Sequence, residues 1–345
     1  GRAVKLSARG RLAGLPSVED LQIDLPEISL RLRPELLRPL LLAALPPLVD
    51  SLGEMDYTGH LRGALDSFSS DGRLRTALGN ARYELQGGLA PDFQTADYRG
   101  KLELKQVDLA RLTADTSFGP LYLQTEFRGS GLQPDDLQLA LSGAVERFGY
   151  LGYTYQPLQV QAQMQGSRLQ SQLNMADPNL AFDLSAQLDW SDSLPDIALR
   201  GTVDSILLQP LQLYYQNLQA RSRIDLEITD WDLSAPQIRL RLEELALQNE
   251  AEVFSADSLL LTAATFGPDS QRIDLHSHFA KASLSGKYRL PQLPIALLSW
   301  ADRYFSLQPL FTQNLQPELV ADSRFDLQLS LSRPDQRLQL IAPSP

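Results

Sequence analysis

His276-Ser277-His278 comes nearest in this sequence to a metal-binding spacing. Residues two apart on a strand share a face, so both imidazoles would project together. A complete site needs a third and a fourth ligand, and the flanking sequence provides neither. A partly solvated strand pair is the ordinary reading of such a doublet. Asp135-Asp136 and the carboxylates from Asp177 to Asp183 have the types for an acid/base pair or a calcium site. Asp-rich turns and wet strand faces are nevertheless commonplace in an acidic β protein. Tyr150, Tyr153 and Tyr155 have the types for a ligand-stacking box, and equally for cross-strand pairs that stabilise a sheet.

The patterns that carry most enzymatic chemistry are absent. There is no Gly-x-Ser-x-Gly elbow, no phosphate-cradling glycine loop with Lys and Ser/Thr, and no His-Glu-x-x-His. Cysteine is missing, which removes disulfides, thiolate nucleophiles and Cys-based metal sites. With 42 Asp and Glu against 31 Lys and Arg the net charge is −11, and no basic cluster stands out. Neutralising nucleic-acid phosphates needs such clusters, so nucleic acid is not expected as a partner. The expectation is a non-enzymatic protein without cofactor or metal.

The elements that position these residues read as strands. In Phe148–Trp190, Leu180, Phe182, Leu184, Ala186 and Leu188 alternate with Ala181, Asp183, Ser185, Gln187 and Asp189. This is a strand with one apolar and one wet face. Asp177-Pro178-Asn179 before it is turn chemistry. Earlier runs alternate likewise: Val4, Leu6, Ala8; Leu21, Ile23, Leu25; Ile28, Leu30, Leu32, with Pro16 and Pro26 between them. Further strands are expected over Tyr57–Leu65, Arg73–Leu78, Arg82–Leu89, Tyr98–Val107, Leu121–Phe127 and around Leu137, Leu139 and Leu141. Beyond Trp190 the pattern continues through Asp196–Asp204, Arg221–Asp230, Gln237–Leu247, Glu252–Ala263, Arg272–Phe279 and Ser283–Leu290, and resumes at Phe325, Leu327, Leu329 and Leu331.

Helical spacing is scarce. Leu36, Leu37, Leu40, Leu41, Ala44, Leu45 and Leu48 predict a short helix within 34–53, broken by Pro39 and Pro46-Pro47. A second helix is predicted over Pro294–Phe305, with Pro294 in its first turn. Asp108–Leu112 reads as a single helical turn. The most apolar run, Leu40–Val49, is ten residues long, against the ~20 that a membrane helix requires. Both ends still read as strand, so a piece of a longer protein is expected.

An irregular repeat, apolar-x-Gly-x-apolar, recurs at Gly59, Gly87, Gly100, Gly143, Gly201 and Gly286. Each glycine falls on the apolar side of its strand. Two readings follow: the glycines permit bulging and sharp coiling, or they leave room for something to lie against the backbone.

Three all-β architectures predict such alternation. A closed sandwich buries two apolar faces against each other. An outer-membrane barrel turns its apolar face to lipid between aromatic girdles, which are not evident here, and the proline-rich connectors interrupt its strand series. An open groove leaves its apolar lining to be covered by lipid chains.

The segment Leu173-Asn174-Met175-Ala176-Asp177-Pro178-Asn179-Leu180-Ala181-Phe182 after Tyr153-Thr154-Tyr155 resembles the TamB-type branch of the AsmA-like envelope proteins, in its Bacteroidota form. Ile273-Asp274-Leu275-His276-Ser277 followed by Ala282-Ser283-Leu284-Ser285-Gly286-Lys287-Tyr288 resembles the same family. The likeness covers nearly all of the chain. It implies a coiled, taco-like β-groove in a periplasmic protein bridging inner and outer membranes. Such a protein moves phospholipid, supports outer-membrane protein assembly with an Omp85-type insertase, and is not an enzyme. The family's N-terminal membrane anchor and C-terminal domain are not part of this sequence.

The expected fold is therefore an all-β, elongated, coiled open groove of mostly antiparallel strands, one continuous segment over 1–345 with a soft boundary at 34–53. The expected lipid-facing lining is Leu121, Leu123, Phe127, Leu180, Phe182, Leu184, Leu188, Ile224, Leu226, Ile228, Ile238, Leu240 and Leu242. A wet aliphatic face of that extent is costly, at about 25 cal/mol per Å2, so it must meet protein or lipid. Leu297, Trp300 and Tyr304 on the helix at 294–305 would cap or plug the groove, or pack as ordinary core. Phospholipid acyl chains are the expected ligand. Both membranes would be reached through parts outside this sequence.

Overall fold

A computed structural model describes residues 4–15, 17, 20–33, 52–90, 95–133, 136–213, 217–231, 237–250, 253–267, 270–287 and 324–332. The described residues hold nineteen strands, antiparallel wherever they pair, and a single five-residue helix. The all-β, open-sheet expectation is what the chain adopts. Two compact units divide it, Gly1–Asp177 and Pro178–Pro345.

The first unit holds β1 (Lys5–Ala13), β2 (Gln22–Leu32), β3 (Met55–Ala64), β4 (Phe68–Thr76), β5 (Gly79–Leu89), β6 (Ala96–Asp108), β7 (Phe118–Ser130), β8 (Gln138–Tyr150), β9 (Tyr153–Tyr155), β10 (Leu158–Gln165) and β11 (Arg168–Asp177). Each strand from β1 to β8 pairs with its neighbour in sequence. β9 and β10 then run end to end along the same edge of β8, and β11 pairs with β10. Pro157, which has no amide hydrogen for the ladder, lies in the gap between β9 and β10. The helix α1 (Leu109–Thr113) links β6 to β7, and the Asp108 carboxylate caps it by accepting from the Arg111 amide at 3.0 Å.

Directly opposed residues share a face, and one row shows how the sequence sorts them. Leu30, Tyr57, Leu74, Ala81, Leu104, Leu123, Val145, Leu158 and Met175 stand side by side across nine strands. The opposite face carries exposed ion pairs, such as Lys101–Glu126 at 2.7 Å, Arg31–Asp56 at 2.7 Å and Arg62–Asp24 at 3.0 Å. Ion pairs this exposed are screened by solvent and contribute little to stability. Their larger effect is to keep that face in water.

Bulges hold the apolar residues on one face where the period of two fails. In β6, Leu104 faces Leu123 and Val107 faces Leu121, so the extra residue falls at Gln106, whose φ is 54°. The same three-residue step occurs in β2 between Leu25 and Ile28. Pro26 therefore does not separate two strands, as its position suggested; it lies inside one strand at a bulge, where a missing amide donor is tolerated. β4 likewise begins at Phe68, earlier than expected, because Ser69-Ser70-Asp71-Gly72 mimics a turn yet pairs fully with β3 and β5.

The second unit holds β12 (Leu180–Asp189), β13 (Asp196–Leu207), β14 (Gln219–Thr229), β15 (Gln237–Gln248), β16 (Val253–Gly267), β17 (Ser270–Ser277), β18 (Ala280–Lys287) and β19 (Arg324–Leu331), each paired with the next. Within each unit the described strands belong to one ladder, and none of them forms a separate second sheet. Side-chain core gathers at one end of the second unit, where Leu218, Phe254 and Ala256 are buried against Leu208, Leu245, Leu247 and Phe279. Leu211, in the connection between β13 and β14, is 1% exposed. The two predicted helices, within 34–53 and at 294–305 with Leu297, Trp300 and Tyr304, lie outside the described residues.

Candidate functional site: an apolar sheet face

The expected lining residues fall into the two units. In the first, Leu121, Leu123 and Phe127 lie on one face of β7, opposite Val107, Leu104 and Gly100 on β6 and Phe148, Val145 and Leu141 on β8. All three are half-buried.

In the second unit the other ten share one face. Leu188 faces Ile197, then the row continues through Ile228, Ile238, Ala263, Ile273, Leu284 and Leu327. The adjacent row runs Ala186, Leu199, Leu226, Leu240, Leu261, Leu275, Ala282 and Leu329. Both rows are apolar across all eight strands. Leu184, Ile224 and Leu242 extend the face by a third row, and Leu180 and Phe182 continue β12 towards Ile206 and Val203. Most of these side chains are half-buried; Leu184 and Ile228 are buried, and Leu329 is 59% exposed.

The first unit builds its apolar face differently, from rings laid over glycines. Tyr57 and Tyr83 stack with centroids 6.4 Å apart and planes 11° from parallel, above Gly59 and Gly72. A Cβ on Gly72 would stand 2.7 Å from the Tyr57 ring and 2.8 Å from that of Tyr83, and one on Gly100 would stand 2.8 Å from Phe127. The room above these glycines is filled by the chain's own aromatic side chains. The Tyr57 hydroxyl lies 2.7 Å from that of Tyr83, which in turn lies 3.0 Å from Ser70 Oγ. Burial, reinforced by the Tyr83 hydrogen bond, pushes the Tyr57 phenol up to about 12.

The tyrosine cluster of Tyr150, Tyr153 and Tyr155 is a set of cross-strand ring pairs. Leu151 and Gly152, with φ of 49° and 78°, make a two-residue hairpin with both central residues left-handed. That turn brings Tyr150 opposite Tyr153 and Phe148 opposite Tyr155. Phe148 and Tyr155 stack at 4.8 Å, Tyr153 and Tyr155 meet edge-on at 4.7 Å, and Phe118 joins Tyr150 at 5.1 Å. Asp177 anchors the group from β11. It is 4% exposed and accepts from the Tyr153 hydroxyl at 2.6 Å and from the Gln156 amide at 3.0 Å. Burial and then the Asp177 charge raise the Tyr155 phenol above its ordinary value. Phe118 and the clamp by Asp177 were not expected from sequence, because both depend on pairing between strands separated by turns.

The histidine doublet separates at a strand end. His276 is in β17, whereas His278 is in the following turn with its ring 5.3 Å from that of Phe279 and nearly perpendicular to it. The two therefore do not share a strand face. Among the described residues no three His, Asp or Glu side chains gather where an ion could be held. No family model, curated protein or solved structure matches this chain.

Proposed function

We propose that this chain is a non-enzymatic segment of a periplasmic lipid conduit, which carries phospholipid acyl chains along an apolar sheet face between the inner and outer membranes. The observation that carries the reading is the pair of all-apolar rows across the eight strands of the second unit, whose described strands form one ladder and no separate second sheet. At ~4.8 Å between strands and ~7 Å between rows, three rows make a face of about 450 Å2. A contiguous apolar patch of that size matches the largest on a typical monomer, which is often functional. Acyl chains fit it because the face offers aliphatic contact without donors or charges to select a head group. The resemblance to the AsmA-like envelope proteins supports the periplasmic setting, a link to outer-membrane biogenesis, and an Omp85-type insertase as a partner of the longer protein.

Native mass spectrometry of the purified chain, combined with photo-crosslinking from Phe182, Leu226, Asp183 and Asp225, tests the proposal. Co-purified phospholipid that crosslinks from Phe182 and Leu226 but not from the outward Asp183 and Asp225 is the expected result. A lipid-free protein with no crosslink at any of the four would instead favour a scaffold module that assists outer-membrane protein assembly.

A further inference from the structure

The polar face of the first unit carries an open hollow of about 1120 Å3. Arg62, Gln86, Arg99, Arg128, Gln163 and Gln170 line it, and all six occupy one register row running from β3 to β11. Arg99 and Arg128 stand directly opposite each other on β6 and β7. Like charges so placed weaken a ladder.

Several basic side chains on the outward faces have an acid beside them. Lys101 has Glu126 at 2.7 Å, Arg200 has Asp225 at 3.0 Å, and Arg82, which faces Arg73, lies 3.5 Å from Glu84. Arg62 in the same hollow is matched by Asp24 at 3.0 Å. Arg99 instead directs its Nε and Nη2 to the neutral Oε1 of Gln86, at 3.1 and 2.9 Å, which orients the guanidinium without cancelling its charge. Arg128 makes no ion pair or hydrogen bond among the described residues.

We infer that this hollow binds a phosphate group, seated between the guanidinium groups of Arg99 and Arg128. Arginine forks match the oxygens of a tetrahedral oxyanion, and the anion removes the repulsion that the bare pair carries. Gln163 and Gln170 continue the same row two and three strands beyond Arg128 and add neutral amides to the hollow. Asp66 and Asp97 also line the hollow, which limits it to a single phosphate group and disfavours a polyanion. The hollow is on the face opposite the apolar one, so a lipid phosphate would reach it from a bilayer surface, and a soluble phosphate from solution.

Two assays at fixed ionic strength separate these sources: calorimetric titration with inorganic phosphate, and flotation with phosphatidylcholine vesicles with and without phosphatidic acid. Wild type binds in at least one, and the binding arm names the source. Arg99→Gln combined with Arg128→Gln weakens that binding by about tenfold or more, as expected from losing hydrogen bonds to a charged group. Arg73→Gln, which removes one positive charge from the same face, leaves it within about twofold. Should the double variant melt early, Arg128→Lys, which keeps the charge and loses the fork, shows a several-fold loss. Absence of binding in both assays, or an equal loss in Arg73→Gln, overturns the assignment.

Discussion

Tyr98 on β6 lies directly across from Gly129 on β7, and its ring occupies the space that a side chain on residue 129 would fill. A Cβ there would stand 2.6 Å from Tyr98 Cε2 and 2.7 Å from the Gln138 carbonyl oxygen. The ring is wedged between backbone on one side and Phe127, at 6.5 Å, on the other. Gly129→Ala therefore costs about 1–3 kcal/mol through forced displacement of the ring and the β8 backbone. Urea denaturation of the variant against wild type measures it.

Exposure predicts opposite outcomes for two apolar truncations in the second unit. Leu240 lies half-buried on the all-apolar rows, and Leu240→Ala should cost about 1 kcal/mol, below the ~2–5 kcal/mol of a buried leucine. Phe254, 7% exposed and edge-on to Phe279 at 5.0 Å, belongs to the packed end, and Phe254→Ala should cost about 3–5 kcal/mol. Equal large losses in lipid-free protein would mean that the rows are covered by the chain itself.

Alkaline pH should loosen the first unit. The folded protein holds the Tyr57 proton more tightly than the unfolded chain, where a phenol titrates near ~10. The folded state thus binds more protons through that window. The contribution from Tyr57 is fully present below pH ~10 and is lost as pH rises through about 12. Melting temperatures followed from pH 9 upwards should fall in wild type and fall less in Tyr57→Phe.

The Tyr153–Asp177 hydrogen bond is short and ends on a buried carboxylate. Tyr153→Phe should cost about 1.5–3 kcal/mol in urea denaturation, the range for a hydrogen bond to a charged group. Tyr150→Phe, in the same ring cluster, should stay within about 0.5 kcal/mol.

Period-two alternation is a local property, and it determined much of this protein directly. Leu180 to Leu188, Ile224 to Ile228 and Ile238 to Leu242 could be assigned to strands and to one face each, because the pleat alone sends residues two apart to the same side. The bulges were not read from it: Leu104 to Val107 and Leu25 to Ile28 each skip by three, and only the pairing shows that one residue is extra and the apolar face intact. Pro26 concealed the second of these, since proline reads as a boundary until its place in the ladder is known. What no local pattern contains is register between strands. Only pairing laid Tyr57 and Tyr83 over Gly59 and Gly72, brought Asp177 beneath Tyr153, and set Arg99 against Arg128, because each partner comes from a different strand and the match depends on where every turn falls. The sequence by itself therefore decided which residues are apolar and on which side of a strand they lie, while the tertiary structure decided which of them meet.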